Sequence, residues 1–169
     1  RLFITADPNK PSRIYYSNPF LPHFIQQTTN LDYMDINPDD GDQIMGIPIQ
    51  LEKMVCIKKN TIRKVHVTSA VSVADPPTWY ADDPIAWIGS PAQWSITQTP
   101  NGVVFLGWDH WYLFDGASAQ PVFDEFDTGD ILEANFSDVV GFWHKENFIS
   151  AYTDKTSATQ THNRMLVYN

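Results

Sequence analysis

Glu52–Val67, EKMVCIKKNTIRKVHV, and Asn101–Gly116, NGVVFLGWDHWYLFDG, align without a gap at an offset of 49 residues. Met54-Val55-Cys56-Ile57 falls over Val103-Val104-Phe105-Leu106, Asn60 over Asp109, and Ile62 over Trp111. Each stretch is two short apolar runs around a polar centre, the pattern of a β-hairpin. A third copy begins at Phe148, 45 residues after Val103, as Phe148-Ile149-Ser150-Ala151-Tyr152. Its partner is Arg164-Met165-Leu166-Val167-Tyr168-Asn169, reached through a longer polar turn, Thr153 to Asn163. A partial copy opens the chain, with Arg1–Thr5 and Arg13–Asn18 as its two strands.

Each full copy has a further strand before it: Ile44–Ile49, Trp94–Thr99 and Val139–Trp143. No amphipathic helix is evident. The best candidate, Leu21–Asp35, is interrupted by Pro22 and Asn30 and is worth at most one short turn. The expected fold is all-β. A repeat of about 45–50 residues with three or four antiparallel strands has the period of a β-propeller blade. The expectation is about three and a half blades: a partial blade over 1–42, a blade over 43–75 with a loop over 76–91, a blade over 92–137 and a blade over 138–169. A single blade cannot bury both faces, so neighbours must stack. Closed rings have roughly 4 to 8 blades, and both ends of the sequence fall within strand patterns, so part of a larger ring or of a longer chain is expected.

Composition narrows the function classes. With 11 basic and 20 acidic residues the chain carries a formal charge of −9, unsuited to gripping a nucleic-acid backbone. No apolar run approaches the roughly 20 residues of a membrane helix. Aromatic residues make up 14%, which argues against disorder and suits the packing of large side chains between sheets. The one cysteine, Cys56, rules out an intrachain disulfide and a cysteine zinc cluster. Lying mid-strand on the same face as Met54, it reads as a small core residue.

Candidate chemistry is sparse. Asp35, Asn37 and Asp39 match the first half of a D-x-N-x-D cation loop. Gly41 stands one position too late for that loop, however, and Gly46 occupies the place of the closing Glu. Pro, Gly and Asp are also ordinary turn formers. An acidic run, Asp124, Glu125, Asp127, Asp130 and Glu133, could supply a glycosidase pair or simply a solvated connection. His23, His66, His110, His144 and His162 are dispersed without metal-binding spacing. There is no nucleophile elbow and no Gly-rich phosphate loop. Trp79, Tyr80 and Trp87 lie in the Pro-rich connection from Pro76 to Pro91. They are candidates for stacking a sugar or anchoring a partner protein, against the alternative that the connection buries its own rings. Trp94 is expected to open a strand.

Four stretches carry a family likeness: RLFITADPNKPSRIYYSNPFLPHF, DINPDDGDQIMGIPIQLEKMVCIKKNTIRKV, IGSPAQWSITQTPNGVVFLGWDHWYLFDG and NFISAYTDKTSATQTHNRMLVYN. The Asp7-Pro8 turn, the Gly-Asp-x-Ile-x-Gly opening strand, the Thr-Pro-Asn-Gly hairpin with terminal Phe-Asp-Gly and the Asn-Arg-x-Leu-Val-Tyr strand are its motifs. Together they resemble the β-propeller proteins of tailed-phage virions, of the tail nozzle (tubular) or tail-stabilisation type. The resemblance implies a structural virion component in the tail, made in the host cytoplasm. It implies no catalytic residues and no cofactor, and its partners would be copies of itself and neighbouring tail or connector proteins. The acidic surface is compatible with a lumen that lets DNA pass without specific binding, since like charges repel. The alternative class is a carbohydrate-binding or glycoside-hydrolysing propeller using Trp79, Trp87 or the acidic run.

Overall fold

The computed structural model describes residues 2–17, 33–50, 52–67, 79–126, 128–131, 133–156 and 162–168. His23, Asp127 and most of the candidate turn from Leu21 lie outside them. The described residues are all-β, in four antiparallel sheets built in chain order. The first holds β1 (Phe3–Ile4), β2 (Arg13–Tyr16) and β3 (Tyr33–Asp35) in that order. The second runs β4 (Ile44–Gly46), β6 (Lys53–Lys58), β7 (Ile62–Val67), β8 (Trp79–Ala81), with β5 (Ile49–Gln50) also paired to β6. The third contains β9 (Thr97–Thr99), β10 (Gly102–Leu106), β11 (Trp111–Phe114) and β12 (Ala119–Val122). The fourth contains β13 (Val140–His144), β14 (Asn147–Tyr152) and β15 (Arg164–Tyr168). Among the described residues the strands close into neither a ring nor a barrel, and no helix is long and apolar enough to cross a membrane.

The 49-residue alignment holds pair by pair. Met54↔Val65, Val55↔Lys64, Cys56↔Arg63 and Ile57↔Ile62 in the second sheet become Val103↔Phe114, Val104↔Leu113, Phe105↔Tyr112 and Leu106↔Trp111 in the third. The bond closing the hairpin recurs as well: Lys58 N donates to Thr61 O at 2.8 Å, and Gly107 N to His110 O at 2.8 Å.

Because side chains alternate across a strand, each inner sheet has two apolar faces, and both are used. Ile14 and Met34 of the first sheet pack on Met54, Cys56 and Val65 of the second. The opposite face of the second, Val55, Ile57 and Ile62, packs on Val103, Phe105, Tyr112 and Phe114 of the third. The far face of the third, Val104, Leu106 and Trp111, packs on Phe148 and Tyr152 of the fourth. Val55 and Ile57 look toward the next sheet, as do Val104 and Leu106 one repeat later. Corresponding faces therefore point the same way, and the sheets stack head to tail. Opening strands adjoin along the stack: the side-chain amide of Gln98 donates to the carbonyl of Ile49, and a Cβ on Gly141 of β13 would lie 2.8 Å from Ser95 O, just before β9.

Each connection between sheets crosses the hairpin of the sheet it leaves. The first, residues 36–43, is held by Ile36 N to Ser12 O at 2.8 Å and Ser12 Oγ to Asp42 O at 3.0 Å. The second, residues 82–96, is held by Ile62 N to Ala86 O and Ser90 N to Lys58 O, both 3.0 Å. On the third, Thr128 Oγ1 donates to Asp109 O, and Phe136 packs on Trp108 with ring centroids 6.1 Å apart.

Three expectations are adjusted. Trp79 and Tyr80 are in β8, an edge strand of the second sheet, and not in a loop. Trp94 sits in a 3-10 turn, Gln93–Ser95, with the strand starting at Thr97. The Ile44–Ile49 run is split into β4 and β5, since Pro48 has no N–H to donate to the ladder.

Candidate functional site

The acidic loop after β3 is organised around an internal cation, the Lys58 ammonium. Lys58 ends β6 facing inward with no exposed surface. Its Nζ donates to Asp40 Oδ1 at 2.6 Å, Asp40 Oδ2 at 2.7 Å and Ile36 O at 3.0 Å. The carbonyl of Asn37 lies 3.5 Å from the same Nζ. Asp42 turns to the hairpin tip, accepting from Asn60 N at 3.0 Å and Thr61 Oγ1 at 2.9 Å. Asp35 points to the opposite face of its strand and is clasped by Arg13, with Nε–Oδ1 at 2.7 Å and Nη2–Oδ2 at 2.8 Å. Asp39 is exposed. Asp35, Asn37 and Asp39 thus do not converge, and among the described residues no group of three or more His, Cys, Asp or Glu is placed to hold a metal ion.

The outer face of the first sheet is built from Ile4, Arg13, Tyr15, Tyr33 and Asp35. The Arg13 guanidinium lies 3.6 Å from the Tyr33 ring centroid. The Tyr15 hydroxyl donates to Asp7 Oδ2 at 2.6 Å, which holds the Asp7 carboxyl below its ordinary range and raises the Tyr15 phenol in return. Arg13 and Asp35 cancel within this face, and the Asp7 carboxylate held by Tyr15 leaves it aromatic with one negative charge.

At the other end of the stack the fourth sheet has a covered and an open face. Register places Phe142, Ile149 and Val167 in one row and Val140, Ala151 and Met165 in the next, all on the side away from Phe148 and Tyr152. Phe142 is 46% exposed, Met165 68% and Val167 57%. In the second and third sheets the corresponding side is buried by the next sheet.

The aromatic candidates divide. Trp79 is spent between the first two sheets, 3.9 Å from the Tyr16 ring centroid and 5.6 Å from that of Phe3. Tyr80 lies on the surface, stacked on His66 at 4.6 Å, and His66 Nε2 is 2.7 Å from Asp82 Oδ2. Trp87 is 80% exposed, and Trp94, like it, stands out from the surface. Cys56 is fully buried, and burial pushes its thiol up to about 12, far from the range of a reactive thiolate.

Of the acidic run, Asp124 and Glu125 reach a cleft of about 600 Å³ between the third and fourth sheets. Asp130 faces Lys155 at 3.6 Å instead. The cleft's far wall is a row missed by sequence reasoning: Trp143↔Phe148↔Tyr168, directly opposite one another on three neighbouring strands. The three residues are too scattered in the sequence to be matched before the register is known. Phe123 stands against them, with ring centroids 5.3 Å from Phe148 and 4.3 Å from Tyr168. Comparison of the chain with known protein families and with curated proteins finds a match to neither.

Proposed function

We propose that this chain is a non-enzymatic structural component of a phage virion tail or connector, an arc of propeller-like blades that works by protein–protein assembly. The observation that carries the reading is the open face of the fourth sheet. Phe142, Met165 and Val167 occupy positions that the stack buries wherever another sheet follows. A contiguous exposed apolar face of this kind marks an interaction surface. Its occupant is the first sheet of a second copy. That sheet's outer face offers Ile4, Tyr15 and Tyr33 to the apolar rows, with Arg13 paired to Asp35 and the Asp7 carboxylate capped by the Tyr15 hydroxyl. Such a contact is heterologous, so repeated copies form a ring if the rotation closes. The resemblance to tail nozzle and tail-stabilisation propellers supports the placement in a virion, and the net charge of −9 suits a wall that DNA passes without adhering.

The test is the assembly mass of the purified chain by light scattering over a range of concentrations, with mass spectrometry of purified phage particles for its presence. Multimers that dissociate in Met165→Glu/Val167→Glu support the reading. A chain that is monomeric at high concentration and missing from virions overturns it.

A further inference from the structure

We propose that the cleft between the third and fourth sheets binds a neutral oligosaccharide. The cleft is within the size range of small-ligand sites. Its floor is apolar, formed by Val104, Leu113 and the buried Phe148. Trp143 and Tyr168 flank Phe148 across the strands, and since Phe148 is buried beneath Phe123, the ring surface left to a ligand is that of the half-buried Trp143 and of Tyr168, about 10 Å apart at a strand spacing of about 4.8 Å. Half of the Tyr168 surface is open (49%).

The polar groups sit on the rim. Asp124 and Glu125 project from the turn after Phe123, and neither carboxylate takes an ion-pair or hydrogen-bond partner among the described residues. Thr99 and Asn101 line the same cleft. A pyranose has this division of chemistry: a C–H face that stacks on aromatic rings, whose π-faces are electron-rich, and an equatorial girdle of hydroxyls that donate to carboxylates, hydrogen bonds stronger than neutral ones. The two free carboxylates on an already acidic chain repel uronates, sialic acids and phosphates. The ligand is therefore a neutral sugar chain.

This site is independent of the assembly reading, because its walls belong to one chain and it lies on the other side of the fourth sheet from the open face. The purified chain is applied to an array of neutral and anionic oligosaccharides, and the best neutral ligand is titrated by calorimetry with spermidine as competitor. The expected result is binding confined to neutral glycans, weakened about tenfold by Tyr168→Ala and by Asp124→Asn/Glu125→Gln, the loss of about one good contact each. Asp124 and Glu125 lie at the surface, so melting curves of that variant matching the parent separate loss of binding from loss of fold. Binding to no neutral glycan, equal binding of anionic glycans, displacement by spermidine or full affinity in both variants overturns the proposal.

Discussion

Lys58 and Asp40 form an ion pair, 2.6 Å from Nζ to Oδ1, in which the ammonium is wholly buried and the carboxylate a quarter exposed. Lysine is almost never buried unless paired, and here the pair fastens the loop leaving the first sheet onto the second.

Removing one partner leaves the other group short of its counter-charge. Lys58→Ala should cost about 3–5 kcal/mol of stability, read from urea denaturation midpoints. Lys58→Met/Asp40→Leu should cost less than the sum of the two single changes, because the two opposite charges leave together, although Arg63, 4.0 Å from Asp40, then loses its ion-pair partner. Additive losses would show that the pair is not coupled.

Tyr112 gives an alkaline signature. Burial first, then its hydrogen bond to Asp109 at 2.9 Å, pushes the phenol up to about 12. The folded value lies above the unfolded one of about 10, so this contribution to stability is complete below pH 10 and is lost as pH rises through 12. Ultraviolet titration of the phenolates should show a late component that loses one tyrosine's amplitude in Tyr112→Phe. A Tyr112 ionising with the exposed tyrosines would refute the assignment.

Trp111 anchors the interlayer between the third and fourth sheets. It is 1% exposed, and its ring centroid lies 5.0 Å from that of Phe148. Its indole N–H has no hydrogen-bond partner among the described residues, so only packing is lost on truncation. Trp111→Ala should cost about 3–5 kcal/mol and Trp111→Phe distinctly less, whereas Trp87→Ala should leave the melting temperature within error.

Gly89 lies where the second connection passes the hairpin tip. A Cβ there would stand 2.2 Å from the Lys58 carbonyl oxygen and 2.5 Å from Asn60 N. Both are backbone atoms and cannot swing aside, so Gly89→Ala should destabilise by about 1–3 kcal/mol. Gly41→Ala meets no neighbour within 4 Å but sits at φ +67°. Its smaller loss, from backbone strain alone, is the control by the same assay.

The central hairpins were readable because both faces of β6 and β10 are buried, which leaves near-continuous apolar runs flanked by polar turns. The outermost strands β3, β8 and β12 were not. Tyr33-Met34-Asp35, Trp79-Tyr80-Ala81 and Ala119-Gln120-Pro121-Val122 are short and partly exposed, so neither alternation nor length marks them. The role of Lys58 was hidden for a different reason: a lysine at a strand end ordinarily extends into water, and its acidic partner is 18 residues earlier. The D-x-N-x-D pattern did not point to it, since Asp40, the carboxylate on Lys58, is outside the pattern, while Asp35 is held by Arg13 and Asp39 is exposed. The Trp143–Phe148–Tyr168 row depends on register across two ladders, and the long polar turn before β15 left that register undetermined.

The crossing connections give the stack a mechanical order. Each strap is bonded to the hairpin it passes, by Ile36 to Ser12, Ser90 to Lys58 and Thr128 to Asp109, before it starts the sheet beyond. Tension along the chain therefore meets a latch at each of the three crossings. Such an object yields in steps, one layer at a time from an end, and a load borne by one layer is passed to its neighbour before that layer gives way.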